Sequence, residues 1–154
     1  MPHHLKSILL VALQFVLILL LLSGTSLNNF SIASSVFITL SLGLVFWAVA
    51  TMQKSKLRIF PEPSANAVLI TSGPYRFIRH PMYTSILLGS IGLLIHQFTP
   101  MRSAIVITLA IVLFIKLTWE EKMLCQKFEG YKNYMKQTQR LFPYIFWHIW
   151  QTNP

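Results

Sequence analysis

The sequence predicts an all-α integral membrane protein: four transmembrane helices and a cytoplasmic C-terminal helix, in one domain over residues 1–154. Three observations carry this prediction. The 154 residues are 54% hydrophobic and only 11% charged, against roughly 25% charged in soluble domains. Four continuous apolar runs, at 8–22, 32–50, 82–98 and 103–119, approach the roughly 20 residues that a bilayer crossing needs. Thirteen Lys and Arg stand against four Asp and Glu, for a net charge of +9, and the basic residues collect in particular loops.

The first run is short and must borrow its flanks, giving a helix at about 5–25. Lys6, the run and Ser23-Gly24-Thr25-Ser26 share features with a secretory signal. The pairing of later helices works better with this helix kept, so retention is expected. Helix 2 is placed at about 32–51. The loop that follows contains Pro61-Glu62-Pro63-Ser64 and is expected to be irregular. Helix 3, at about 81–98, opens on Pro81, whose missing N–H costs nothing in a first turn. Ser85, Gly89 and Gly92 follow at helical spacing, and small residues let membrane helices approach closely. Pro100 marks a turn, and helix 4 returns at about 103–120. Lys116 in its last turn is expected to snorkel to the interface, and His96 to lie at the opposite one. Leu124, Phe128, Tyr131 and Met135 recur at three and four residues, which predicts a helix over about 120–139 on the cytoplasmic side. Residues 142–150 form an interfacial aromatic belt.

Orientation follows from the basic residues. The 23–31 loop has no charge; the 51–81 loop carries Lys54, Lys56, Arg58, Arg76 and Arg79; the tail carries Lys122, Lys127, Lys132, Lys136 and Arg140. With Lys6, eleven of the thirteen fall on one side, which puts both termini in the cytoplasm. Positive-inside topology and attraction to anionic lipid account for the net charge. The bilayer is the expected partner, and nucleic acid is not. The single Cys125 excludes an internal disulfide and a cysteine-rich metal site, and is read as a packing residue.

Charge at a membrane edge is costly unless it serves snorkelling, topology or a site. Here it gathers at Arg79-His80-Pro81 and at Glu120-Glu121, and all but one of the acidic residues lie in 120–129. An antiparallel hairpin of helices 3 and 4 brings the two clusters together. Arg79 and His80 can meet a carboxylate. Glu120 and Glu121 can accept from a ribose diol or an ammonium. Tyr75 and Tyr83 offer aromatic faces. A sulfonium methyl donor carries all of these groups. Taken one at a time, these residues have plainer roles, as snorkelling cations and a solvated helix end; taken jointly, they favour a site.

Gly73-Pro74-Tyr75-Arg76-x-x-Arg79-His80-Pro81-x-Tyr83, then Glu120-Glu121-x-x-Leu124, Phe128-x-Gly130-Tyr131-x-x-Tyr134 and Arg140-x-x-Pro143, resemble the isoprenylcysteine carboxyl methyltransferase and phospholipid methyltransferase group over residues 60–145. Glu129 precedes Gly130 where Phe-Gly is usual, and Ser85 stands where many members have Gly. The resemblance implies S-adenosylmethionine as methyl donor. It implies a donor pocket drawn from Gly73, Pro74, Tyr75, Arg79, His80, Pro81, Tyr83, Glu120 and Glu121, with a lipophilic small-molecule acceptor entering from the bilayer. A carboxylate acceptor needs no base and could be held by Arg79 or Arg140. A lipid amine needs one, with Glu121 the first candidate and His80 the second. Two other classes stay open: a membrane-embedded NADPH-dependent lipid reductase, and a non-catalytic small membrane subunit.

Overall fold

The computed structural model describes residues 3–26, 28–53 and 69–143. Lys54, Lys56, Arg58, the 61–64 stretch and the aromatic belt from 144 onward lie outside them. The described chain is all-helical: α1 (His3–Ser23), α2 (Ile32–Gln53), a 3₁₀ turn (Gly73–Arg76), α3 (Pro81–His96), α4 (Pro100–Lys127) and α5 (Tyr131–Gln137). Of these, α2 and α4 are long and apolar enough to cross a membrane, while the apolar stretch of α1 from Ile8 and the whole of α3 are shorter. Large apolar side chains point outward all along the bundle, among them Phe15, Leu19, Phe46, Ile107 and Phe114. A surface so uniformly greasy matches lipid rather than water.

The closest packing is between α2 and α3. Ser34 donates its hydroxyl to the Gly92 carbonyl and Ser41 to the Ser85 carbonyl, each at 2.7 Å. A Cβ on Gly92 would lie 2.9 Å from Ile38 Cγ1, and one on Gly89 2.9 Å from Ser41 Oγ. The small residues of α3 therefore serve close approach as expected, with α2 as the partner. The apolar core lies among α1, α3 and α4: Leu17, Leu21, Leu87, Leu109, Leu113 and Leu117 are buried there.

Two helix boundaries differ from the sequence expectation. Helix α4 does not stop near 120; it runs 28 residues, to Lys127, and carries the Glu pair inside its last turns. The helix expected over 120–139 is divided. Phe128 turns extended at φ −116°, ψ 113°, and α5 restarts as seven residues at Tyr131. The apolar recurrence at three and four residues continues across this break, so periodicity alone could not see it.

Candidate active site

Local backbone chemistry sets the frame. Pro81 disfavours the helical region for the residue before it, and His80 accordingly caps α3 at φ −124°, ψ 60°. Its carbonyl accepts from the Tyr83 and Thr84 amides, both at 3.0 Å. Upstream, Gly73 takes φ +60°, and a Cβ there would collide with Thr51. Only glycine starts this turn without strain. Pro74 is buried, and its carbonyl receives the amides of Phe77 and Ile78 at 3.1 Å. Gly73 and Pro74 thus shape the turn that delivers Arg79.

The tail then lies alongside this segment. Arg79 N donates to Gln139 O at 2.7 Å, His80 N to Arg140 O at 3.1 Å and Gln139 N to Phe77 O at 3.1 Å, forming a parallel bridge between Ile78 and Gln139. Thr84 Oγ1 donates to Leu141 O at 2.5 Å. These bonds place Arg140 over the start of α3. A single bridged pair leaves no periodic signature, so this tether was not legible in the sequence.

Six side chains meet at this point. Arg79 Nε donates to Glu121 Oε1 at 2.8 Å, with both side chains under 10% exposed. Arg79 Nη1 also reaches the carbonyls of Met135 and Thr138. Arg140 Nη2 lies 2.9 Å from Glu121 Oε2 and is 42% exposed. His80 stands between the carboxylates, Nε2 3.4 Å from Glu121 and Nδ1 3.7 Å from Glu120. Tyr83 donates its hydroxyl to Glu120 Oε1 at 2.5 Å, and its ring lies parallel to that of His80, centroids 5.4 Å apart. The hairpin thus brings together Arg79, His80, Tyr83, Glu120 and Glu121, and the tail adds Arg140. The two carboxylates differ: Glu121 faces two guanidiniums and His80, with its Oε2 paired by charge but not by a well-aligned hydrogen bond, whereas Glu120 meets Tyr83 and His80 and interacts electrostatically with Lys116.

Supporting residues surround this cluster. Tyr134 donates its hydroxyl to the Tyr75 carbonyl at 2.6 Å. Burial pushes the Tyr134 phenol up to about 12, against the opposing pull of Arg79 and Thr138. Burial, with Tyr134 and Glu120 nearby, also pushes Tyr75 well above the usual range. Cys125 packs its Sγ 3.5 Å from Met135 Sδ. A cleft of about 490 Å³ opens between the 69–76 segment and α5, lined by Thr71, Arg76, Asn133, Tyr134, Gln137 and Thr138 among others. It adjoins the cluster through Thr138, while the carboxylates themselves are closed in by their own partners.

Two positions correct the sequence reading or were missed by it. Lys116 does not snorkel: its Nζ donates to Gln14 Oε1 on α1 at 3.0 Å and lies 5.0 Å from the Tyr83 ring centroid. Gln14 is buried, and its being the one polar residue in the apolar run 8–22 is the sequence signal for it. At the far end, His96 sits at the bundle edge as expected, with Nε2 2.8 Å from Ser26 O and its ring stacked on Phe30.

Comparison with known proteins agrees with this picture. The cobalt-zinc-cadmium resistance protein CzcN of Cupriavidus metallidurans is 29% identical over 110 residues, covering 68% of this chain and 49% of that protein. The nickel-cobalt-cadmium resistance protein NccN of Alcaligenes xylosoxydans xylosoxydans is 22% identical over 144 residues, covering 93% of this chain and 66% of that protein. The chain thus spans about half the length of the first and 66% of the second. The model of the isoprenylcysteine carboxyl methyltransferase family matches residues 32–126, well over half of the 154 residues and inclusive of Arg79, His80, Tyr83 and both carboxylates. The chain therefore belongs to the isoprenylcysteine carboxyl methyltransferase family, a family of membrane methyltransferases.

Proposed function

We propose that this protein transfers a methyl group from S-adenosylmethionine to a lipophilic acceptor at the cytoplasmic face, from a four-span bundle with both termini cytoplasmic. The observation that carries the reading is the convergence of Arg79, His80, Tyr83, Glu120, Glu121 and Arg140 at one end of the α3–α4 hairpin. Their chemistry fits the donor. Glu120, the less buried carboxylate, suits a ribose diol or an ammonium. Tyr75 and Tyr83 suit a flat base, and Arg79 suits a carboxylate. The cleft beside α5 gives a polar ligand a cytoplasmic approach. When bound, S-adenosylmethionine supplies an electrophilic methyl on sulfur.

The chain's own residues then position and neutralise. Glu121 pins Arg79 and Arg140 at fixed separation, so its role is to hold the cations and not to take a proton. Arg140 is half exposed, and its guanidinium lies 5.8 Å from the ring of Phe114, which faces outward. It stands where the charged cluster meets the apolar surface, as a clamp on a lipid-borne anion would. In-line displacement draws most of its rate from such alignment. A carboxylate acceptor needs nothing more. A lipid amine needs a base, and Glu120 is then the available carboxylate.

Calorimetry on detergent-purified protein tests the reading. S-adenosylhomocysteine is expected to bind and NADPH is not. Binding of NADPH alone would assign a lipid reductase, and binding of neither would assign a non-catalytic subunit. Mass spectrometry after incubation with isotopically labelled donor would then identify the acceptor.

A further inference from the structure

Arg102 sits in the first turn of α4, at the end of the bundle away from the Glu pair, and only 8% of it is exposed. A guanidinium is always charged in a protein and carries five N–H donors. Its Nη2 donates to Thr25 Oγ1 at 3.1 Å, while Nη1 is buried with no hydrogen-bond partner among the described residues. Burying a charge without a counter-ion is costly, and the positive end of the α4 dipole adds to that cost. The described chain offers no counter-ion. Of the four acidic residues, Glu120 and Glu121 lie in the last turns of α4 and Glu129 follows its end. Glu62 stands in the segment outside the described residues. No carboxylate pairs with Arg102 among those described.

The surroundings hold this cation in place. Thr99 caps α4 by accepting from the Arg102 amide at 3.1 Å. Thr25 gives its own hydroxyl proton to Leu21 O at 2.7 Å, so its oxygen faces the guanidinium as an acceptor. Ser26 is strapped to the end of α3: its amide donates to Gln97 Oε1, its hydroxyl accepts from Gln97 Nε2, and its carbonyl meets His96 Nε2. Gly24 lies against the group, where an added Cβ would come 3.3 Å from Nη2; on that side no side chain stands over it. The same turn also shows its depth. Phe98 and Met101, on either side of Arg102 in sequence, are largely exposed. Bare apolar side chains beside a cation belong at a bilayer surface, where basic sites between helices meet lipid headgroups.

We infer that Arg102 binds the phosphate of a phospholipid in the leaflet at that end of the bundle. The planar guanidinium fork matches two phosphate oxygens, and Nη1 brings the donors that the described residues leave unused. Thr25 is the hydrogen-bond acceptor of the group among those residues, so turning Nη1 toward a headgroup gives up one neutral partner and gains a charged one. The phosphate then supplies the missing negative charge and links the end of α1 to the start of α4. This site is separate from the Glu cluster, since the 18 residues from Arg102 to Glu120 span about 27 Å of helix at 1.5 Å each. It does not depend on which reaction the other end carries out.

The test is calorimetry on the full chain, delipidated in an uncharged detergent at physiological salt, which screens exposed lysines. The probes are a short-chain phosphatidylglycerol, the matched diacylglycerol and inorganic phosphate. The variants are Arg102→Gln, Arg102→Lys and, as a control of equal charge change at an exposed site, Lys132→Gln. Arg102→Gln should weaken phosphatidylglycerol binding roughly ten- to a hundredfold, the cost of losing hydrogen bonds to a charged group. Arg102→Lys keeps the charge without the fork and should weaken it by a smaller factor. Lys132→Gln should leave it unchanged, and diacylglycerol should bind wild type far more weakly than phosphatidylglycerol does. Equal phosphatidylglycerol binding by wild type and Arg102→Gln overturns the inference and leaves Arg102 as a staple between α1 and α4. So does an equal loss in Lys132→Gln, which marks non-specific attraction, or diacylglycerol binding as tight as phosphatidylglycerol. Arg102-dependent binding of inorganic phosphate without that of phosphatidylglycerol overturns the lipid assignment and gives the site to a free oxyanion. Should Arg102→Gln not fold, equal binding by wild type and Arg102→Lys overturns the inference by itself.

Discussion

Glu120 and Glu121 are neighbours in sequence with opposite duties. Glu121 is buried and meets two guanidiniums; removing one partner of a buried ion pair typically costs about 3–5 kcal/mol. Glu121→Gln should therefore lower the thermal midpoint in detergent sharply and lose ligand binding with it. Glu120→Gln should weaken S-adenosylhomocysteine binding roughly ten- to a hundredfold, the cost of a hydrogen bond to a charged group, with a much smaller change in melting. Equal melting losses for the two variants would contradict this division. The sequence showed that both carboxylates belong to one site with Arg79 and His80, because a hairpin of similar arms forces it. It could not divide their labour, because that depends on where residues 139–141 lie down. Tyr134 adds a pH signature. Its phenol is raised to about 12, chiefly by burial, while an unfolded tyrosine ionises near 10. The unfolded chain therefore loses its proton first, so this contribution is intact below about pH 10 and fades as pH rises toward about 12. Tyr134→Phe should melt slightly lower at neutral pH, having lost the 2.6 Å bond to Tyr75 O, and should flatten part of the alkaline decline in melting temperature.

At the level of elements, α3 is the organiser: its start builds the site and its small residues dock it on α2. Gly92 is the tightest point, since a Cβ would come within 3.2 Å of Ser34 O as well as Ile38. Gly92→Val should cost about 1–3 kcal/mol by overpacking, read as a lowered midpoint of thermal unfolding. Gly43→Ala, with nothing within 4 Å of the added carbon, should cost nothing. The positions of α1 to α4 were legible because long apolar runs bounded by Pro, Ser and charge leave few alternatives. The partner of the small-residue face was not, because it is chosen by Ser34 and Ser41, whose hydroxyls accompany many helices without crossing to another. The break between α4 and α5 was hidden for a related reason: Phe128 keeps its place in the sequence's apolar recurrence at three and four residues while its backbone turns extended, so the pattern persists where the helix does not.

On the scale of the whole molecule, the bundle has one charged end and one uncharged in net terms save for Arg102, and the contacts identify which helix ends share each. Lys6 lies 5.7 Å from the ring of Trp119, so the start of α1 neighbours the late turns of α4. Thr51, near the end of α2, abuts Gly73 ahead of α3. At the opposite end, Ser26 bonds Gln97, and Arg102 donates to Thr25 at 3.1 Å. Successive helices therefore alternate in direction, and the ends carrying Lys6, Arg76, Arg79 and the tail lysines coincide. Basic residues in short loops are retained in the cytoplasm, so the end that holds the site should be cytoplasmic and the 24–31 and 97–102 turns external. Reporter fusions after Asn29 and after Pro100 should both give external signals, and a fusion after Lys127 a cytoplasmic one. A cytoplasmic signal from either turn would mean that the shorter α1 or α3 does not cross, leaving α2 and α4 as the spans. The site would then have to be reached from a different face of the membrane. Agreement at all three positions would put the charged cluster at the depth where a polar donor from the cytoplasm and an acceptor anchored in the inner leaflet can both reach it.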